Sequence, residues 1–301
     1  MKIASIDIGT NTVRFLIAEI RSGVLTPVAI YRDIIRLGEG LRARGELDPA
    51  ALGRLTAVLT SYRGYISEAK CRKVRAVGTS ALRDADRAGE IGRVLYEVLG
   101  YSVDVISGEE EARLTSLGVQ AGITVLSDGL ILDIGGGSTE LIRVSSGSNI
   151  WWSSLPAGVV HLTEELFLDD PPSNRQVNAL RNRFRDFLDM ERDDGGEQVA
   201  GTAGTPTTLA AVQLGIDDYD PTLVNGHVLP LDTIRDLTEE FLGMTSARRL
   251  ALRGMEKGRE DLIIAGSLMV LEVMDRWDFK EMIVSDWGLL EGIALDAAKR
   301  P

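Results

Sequence analysis

Two short stretches of this chain share one pattern, and each ends in the same chemistry. Ile6-Asp7-Ile8-Gly9-Thr10-Asn11-Thr12-Val13-Arg14 stands near the start, and Leu132-Asp133-Ile134-Gly135-Gly136-Gly137-Ser138-Thr139-Glu140 stands in the middle. Each is an apolar run that closes on an Asp, passes through Gly and hydroxyl residues, and resumes as a second run. The pattern predicts a β-hairpin whose tight turn exposes backbone N–H groups, which suit phosphate oxygens. An Asp at the mouth of such a turn can hold Mg²⁺ or orient a water. Two such turns facing one another would make a cleft for a phosphate chain.

The rest of the chain bounds that picture. Its 301 residues suffice for two domains, each with its own core. A hydrophobic content of 44% with 26% charged residues is that of a globular protein, and no apolar run is long enough to span a bilayer. The first strand comes too soon after Met1, and carries Asp7 too early, to read as a signal peptide. Cys71 is the one cysteine, so no internal disulfide is expected and a reducing cytoplasm is the expected location. The single cysteine excludes a thiolate-rich metal site, and His161 and His227, the only histidines, argue against a multi-histidine one. A formal net charge of −12 argues against a nucleic-acid or membrane binder. An anionic substrate would then need local arginines and a divalent cation.

Strand and helix signals alternate along the chain. Residues 1–20 read as a hairpin and 24–31 as a strand. Asp48-Pro49 reads as a helix N-cap followed by Leu52, Leu55, Leu59, Tyr62 and Ile66 at helical spacing. A strand at Val74–Val77, a helix at 87–99, a strand at Val103–Ile106 and a helix at 108–119 complete an α/β domain. Ile123–Asp128 bridges to a second half built on Leu130–Ile134 and Glu140–Val144. Ser173 caps a helix to about 190, and Asp193–Gly196 is a loop before the strand Gln198–Gly201. Helices are expected at 232–242, 245–253, 259–275 and 288–300, with a strand at 281–285. The domain boundaries expected are 1–120 with a returning helix at 288–301, and 121–287.

Glu140 shares a strand face with Ile142 and Val144, where a carboxylate is costly unless it has a partner. A role for Asp133 and Glu140 with Mg²⁺ or a catalytic water is preferred to a structural salt bridge. Superposing the two stretches puts Arg14 where Glu140 stands, and phosphate is its preferred partner over a carboxylate bridge. Ser107 and Glu110 have capping-box spacing, which makes Glu110 structural; Glu111 has no such duty and is open as general base or solvated charge. Gly78–Arg83 is a hydroxyl-rich turn delivering Arg83, or an ordinary N-cap. Gly201–Thr205 could present N–H groups to an anion, or be a Thr- or Gly-capped helix start. Glu256–Asp261 reads as a solvated helix start. His161 and His227 read as core or surface residues, Cys71 as inert, and Trp151 and Trp152 as core.

Together these motifs resemble the exopolyphosphatase / guanosine pentaphosphate phosphatase (Ppx/GppA) family, of the actin-like, Hsp70-like, sugar-kinase superfold. The resemblance runs nearly the whole chain. It rests on the two Asp-Gly stretches, Arg36-Leu37-Gly38-Glu39-Gly40, Thr79-Ser80-Ala81-Leu82-Arg83 and Ile106-Ser107-Gly108-Glu109-Glu110-Glu111-Ala112-Arg113. Leu162-Thr163-Glu164, Gly201–Thr205, Ile264-Ala265-Gly266 and Ser285-Asp286-Trp287-Gly288-Leu289 extend it. It implies duplicated actin-like (ribonuclease H-like) domains with an interdomain cleft. It also implies Mg²⁺-dependent removal of the terminal phosphate from polyphosphate or of the 5′ γ-phosphate from guanosine pentaphosphate, and a homodimer.

By resemblance, Glu111 is the general base, and Asp133 and Glu140 bind metal or steer the attacking water; Asp7, an Asp at the mouth of its turn, is a further candidate metal ligand. Arg14, Arg83 and Arg259 fall on phosphate-gripping positions, and the turns themselves offer Thr10, Asn11, Thr12, Gly136, Gly137, Ser138, Gly204 and Thr205 as phosphate-binding candidates. Longer members carry additional C-terminal helical domains beyond these two. Gly258 stands where many members have Glu, Leu290 and His161 where Arg is common, and Arg87 where Asn is usual. Two rivals remain open: a nucleotide-dependent kinase or ATPase of the same superfold, and a non-catalytic polyphosphate or alarmone sensor.

Overall fold

The computed structural model describes residues 1–86, 88–123, 126–191 and 195–300. The chain divides into two compact units, Met1–Gly118 with Gly288–Pro301, and Val119–Trp287. Arg87, the Thr124-Val125 part of the expected bridge and the Asp193-Asp194 part of the expected loop lie outside the described residues.

The first unit runs β1 (Lys2–Ile8), β2 (Thr12–Arg21), β3 (Val24–Ile34), α1 (Leu41–Arg44), α2 (Pro49–Ala69), β4 (Lys73–Gly78), α3 (Ser80–Asp84), α4 (Ala88–Leu99), β5 (Val103–Val105) and α5 (Gly108–Gly122), the last of which continues past the unit boundary. Its five-stranded sheet has the order β3-β2-β1-β4-β5, with β1, β4 and β5 parallel. The second unit runs β6 (Asp128–Ile134), β7 (Thr139–Ser145), β8 (Ser148–Leu155), α6 (Val159–Leu166), α7 (Asn174–Leu188), β9 (Gln198–Thr202), α8 (Gly204–Leu214), α9 (Pro221–Val224), β10 (Val228–Pro230), α10 (Leu231–Leu242), α11 (Ser246–Leu250), α12 (Ile263–Arg276) and β11 (Glu281–Val284). Its order, read from the opposite edge, is β8-β7-β6-β9-β11, with β10 added antiparallel at the end. The two sheets therefore repeat one plan: a meander of three strands, then two parallel crossovers. α13 (Leu289–Lys299) returns to the first unit, where Leu289 and Ile293 pack on Val77, Ile106 and Leu114.

Local chemistry explains most elements. Asp48 accepts from the Ala50 amide at 2.7 Å, Pro49 opens α2, and Leu55, Leu59, Tyr62 and Ile66 are buried at the expected spacing. Ser173 and Gln176 form a reciprocal capping box at the start of α7. Three expectations need correction. The helix expected at 245–253 is cut to Ser246–Leu250, because the chain tightens into short turns and Gly254 takes φ +86°. The helix expected from 259 starts at Ile263, and Glu256–Asp261 is a turn with Gly258 at φ +91°. Trp151 packs on the core of the second unit, but Trp152 is 40% exposed, because successive strand residues face opposite ways. Burial pushes the Cys71 thiol up.

An ion-pair network fixes α13. Arg75 is buried and meets Asp296 at 2.7 Å and Glu110 at 3.1 Å, while Arg113 meets both carboxylates at 2.7 Å. Ser107 Oγ accepts from the Glu110 amide at 3.2 Å, but the Glu110 carboxylate serves the arginines, so its role is structural. The hydrogen bond from Arg113, with Arg75 assisting, holds Glu110 below the usual carboxylate range. Burial pushes Asp296 up, but hydrogen bonds from Arg113 and Arg300 outweigh it and hold that group low as well. A carboxylate depressed in the folded state stabilises above its unfolded pKa, about 4, and that contribution is lost as pH falls through the folded value. Asp296→Asn should therefore lower Tm at neutral pH, and its deficit against wild type should shrink as pH drops toward 2.5. A Tm difference independent of pH would contradict the ion-pair origin.

Candidate active site

In open α/β sheets, ligands gather at the carboxyl ends of the parallel strands. In the first unit those ends carry Asp7 on β1, Thr79 and Arg83 just after β4, and Glu111 in the first turn of α5 after β5. In the second they carry Asp133 on β6, Gly204 and Thr205 just after β9, and Ser285-Asp286 after β11.

The two hairpins are built alike. Asp7 pairs with Arg14 across β1–β2, and Asp133 pairs with Glu140 across β6–β7. Gly9 N–H donates to Thr12 O at 3.0 Å, and Gly135 N–H donates to Ser138 O at 3.0 Å. The registers place Arg14 and Glu140 at equivalent positions, as superposing the sequences predicts. The difference between the halves is thus one of charge, a cation opposite Asp7 and a carboxylate opposite Asp133.

In the first unit, Arg14 Nε and Nη2 both donate to Asp7 Oδ2, at 2.9 and 2.7 Å. This is the carboxylate bridge that the sequence left as the alternative to phosphate. Asp7 Oδ1 and Asn11 Nδ2 are buried with no hydrogen-bond partner among the described residues. A buried acceptor and a buried donor flank the turn, and such groups carry a desolvation cost unless something meets them. Thr79 sits at the N-cap position of α3 without a capping hydrogen bond, so the ordinary-cap alternative does not describe it. Arg83 Nη1 reaches Ile106 O at 2.8 Å and Glu111 Oε2 at 3.2 Å. Glu111 is 7% exposed, so it is no solvated surface charge.

In the second unit, Asp133 and Glu140 are 7% and 1% exposed. Glu140 Oε1 accepts from Ser154 Oγ at 2.8 Å, and Ser154 lies directly across β7–β8. Sequence reasoning missed Ser154, because nothing local ties a Ser on one strand to a carboxylate on the strand before it. It missed Ala203 too, a non-glycine residue at φ +67° that forms the N-cap position of α8 without any side-chain cap. Neither Thr nor Gly caps that helix, and the backbone holds a conformation that costs roughly 1–3 kcal/mol. Arg259 lies against Gly204: a Cβ there would stand 1.6 Å from Arg259 Nη1. Arg259 Nε donates to Glu256 at 2.6 Å. Arg14, Arg83 and Arg259 thus each rest on a carboxylate. His161 is buried in α6, and His227 Nε2 contacts Gln213 at 2.8 Å, so both fit their core or surface assignment.

Among the described residues no three His, Cys, Asp or Glu side chains form a metal-holding group. Mg²⁺ commonly takes only one or two carboxylates and completes its octahedron with phosphate oxygens and water. Within the second unit, the carboxylate oxygens of Asp133 and Glu140, which face one another across β6–β7, are a donor pair of that kind, and in the first unit the unmatched Asp7 Oδ1 is a single such donor. No helix among the described residues is long and apolar enough to cross a membrane.

Residues 16–301 match the model of the Ppx/GppA phosphatase family. A relative from Mycobacterium tuberculosis named exopolyphosphatase 2 is 32% identical over 99% of this chain and 98% of its own. A guanosine-5′-triphosphate,3′-diphosphate pyrophosphatase from Pseudoalteromonas atlantica is 26% identical over 96% of this chain and 57% of its own. The crystal structure of the Aquifex aeolicus Ppx/GppA family member superposes with a TM-score of 0.86 at 33% identity, covering 99% of this chain and 97% of that one. With a family model matched over residues 16–301 and a 32% identical relative matched over 98% of its own length, the chain belongs to the Ppx/GppA phosphatase family.

Proposed function

We propose that this protein is a Mg²⁺-dependent phosphohydrolase. It releases orthophosphate from the end of inorganic polyphosphate, or the 5′ γ-phosphate of guanosine pentaphosphate. The observation that carries the reading is the charge asymmetry of the two equivalent hairpins, Arg14 opposite Asp7 and Glu140 opposite Asp133. One turn is equipped to grip an anion and the other to handle a cation or a water.

The residues divide the work as follows. The turn amides left without an acceptor among the described residues, those of Asn11, Gly136 and Gly137, hold phosphate oxygens, joined by Thr10, Asn11, Thr12, Ser138, Gly204 and Thr205. Asp133 and Glu140 orient the attacking water and, with Asp7, would hold Mg²⁺, which supplies charge neutralisation at the phosphate oxygens when bound. Glu111 accepts the proton of the water as its oxygen bonds to the terminal phosphorus. The bridging P–O bond breaks, and the shortened chain leaves with the electron pair. Arg14, Arg83 and Arg259 stabilise the charge on the equatorial and leaving oxygens. To do so they exchange their carboxylate partners for phosphate, which offers more acceptor oxygens in a geometry that suits guanidinium.

The test is orthophosphate release from short polyphosphate, long polyphosphate and guanosine pentaphosphate, in Mg²⁺ and after chelation by EDTA. Release in Mg²⁺ that stops on chelation is the expected result. Turnover of ATP with an acceptor, and none of these substrates, would favour the kinase rival. Tight binding without release would favour the sensor.

A further inference from the structure

We propose that the segment following the third strand of each unit sets the orientation of the phosphate-binding amides, and that Gly38 and Gly158 are the positioning residues on which this depends. The inference rests on the reading of the two turns as phosphate sites. It explains a motif to which the mechanism gives no role, Arg36-Leu37-Gly38-Glu39-Gly40.

In the second unit the chain leaves β8 and returns to the glycine turn. Val159 N–H donates to Gly135 O at 3.0 Å and Val160 N–H to Gly136 O at 2.9 Å. These are first-turn amides of α6, groups that lack partners inside their own helix. Gly158 supplies no side-chain cap, so the turn's carbonyls cap the helix instead. Thr139 Oγ1 pins the approach by donating to Ala157 O at 2.5 Å.

In the first unit the chain leaves β3 and does the same. Gly38 N–H donates to Thr10 O at 2.8 Å, and Ile35 and Arg36 N–H both donate to Asn11 O at 2.9 Å. The matching Gly9–Thr12 and Gly135–Ser138 bonds align Thr10 with Gly136. The same carbonyl is held from behind in both units, by segments of unrelated sequence.

The consequence follows from peptide planarity. In a trans peptide the C=O of one residue and the N–H of the next point in opposite directions. Fixing Gly135 O and Gly136 O toward α6 aims the Gly136 and Gly137 amides away from it. Fixing Thr10 O toward Gly38 does the same for the Asn11 amide. Among the described residues, none of these three amides has an acceptor.

Both contacts require a glycine at the point of approach. A Cβ on Gly158 would meet Gly136 C and O at 2.3 Å and Gly137 N at 2.4 Å, which are backbone atoms that can yield only by moving the turn. A Cβ on Gly38 would meet Thr10 Cγ2 at 2.3 Å, with its next neighbours at 3.5 Å. The first substitution displaces the turn directly. The second displaces it through one methyl group.

The test is a titration of the full-length ¹⁵N-labelled protein with inorganic phosphate and Mg²⁺. It follows the amide resonances of Asn11, Gly136 and Gly137. Wild type should show saturable shifts at these amides. Gly158→Ala and Gly38→Ala should each weaken phosphate binding by about tenfold or more, since a displacement near 1 Å suffices for such losses. Gly53→Ala, whose Cβ would meet nothing within 4 Å in the second turn of α2, should bind as wild type does. Thr10→Ser added to Gly38→Ala removes the obstructing methyl, keeps the hydroxyl, and should recover affinity. That recovery is a readout that general loss of stability would not produce, and it carries the test if Gly158→Ala does not fold. Wild-type amides silent to phosphate would overturn the phosphate reading itself. Responsive wild-type amides with Gly158→Ala and Gly38→Ala binding equally well, or with no recovery in the double variant, would overturn the positioning role alone.

Discussion

Glu111→Gln should lower turnover by about 10²-fold or more while phosphate-chain binding is retained, because it removes the proton acceptor and little else. The side chain keeps its volume in a site where Glu111 is 7% exposed, and it keeps an oxygen for Arg83, 3.2 Å away. Arg83 is also held by Ile106 O at 2.8 Å, so the guanidinium stays in place when the carboxylate charge goes. The loss should therefore fall on kcat and leave KM within a few fold. A rise in KM with kcat unchanged would mean that Glu111 merely positions Arg83. Steady-state kinetics on whichever phosphate chain is turned over decides between them.

Glu140→Gln is the second large effect, expected at about 10²-fold or more in kcat/KM, without loss of thermal stability. The two readings of this residue separate cleanly here. If Glu140 were a structural salt-bridge partner, breaking it at 1% exposure would cost several kcal/mol and Tm would fall. If it steers water or cation, it is a buried charge retained for function, and neutralising it should leave Tm equal or higher. Ser154→Ala, which removes the 2.8 Å hydrogen bond to Glu140, should give a smaller loss of about tenfold that Ser154→Thr partly restores. Activity and melting temperature measured on the same preparations check both statements. A Tm drop in Glu140→Gln together with near-normal activity would reverse the assignment.

The duplicated hairpins were the most legible part of the fold, because strand alternation and Gly-rich turns are local signals. Their equivalence, Arg14 for Glu140, appears in the register without adjustment. α2 and α7 were legible for the same reason, since Asp48-Pro49 and Ser173 are caps written in the sequence. α6 was not, and the cause is physical. Its N-terminal amides are satisfied by Gly135 O and Gly136 O, carbonyls far back along the chain, so no Ser, Asp or Asn announces its start. α8 likewise begins at Ala203, whose positive φ no sequence pattern encodes. β8 carries Trp151 and Trp152 side by side, and only the pairing with β7 decides which of them faces the core.

The candidate site divides along the same line. Asp7, Asp133 and Glu140 stood out as candidates because each is a charge at a strand end or on an apolar face, whereas the local chemistry of Glu111 left its role open and only the family resemblance assigned it. The carboxylate partners of Arg14, Arg83 and Arg259 are set by tertiary structure, and so are the contacts of Ser154 and Gly158. Gly258 shows how a departure from family pattern can be local in origin. At φ +91° a Glu would be strained there, and the turn that carries Arg259 uses glycine instead.

The central claim is that this chain hydrolyses a phosphoanhydride with Glu111 as base. The most direct measurement is orthophosphate release in Mg²⁺ by wild type and Glu111→Gln side by side, with phosphate-chain binding measured on both. Release by wild type, and binding with turnover reduced by about 10²-fold or more in the variant, is the result predicted. Equal turnover by the two proteins would contradict it.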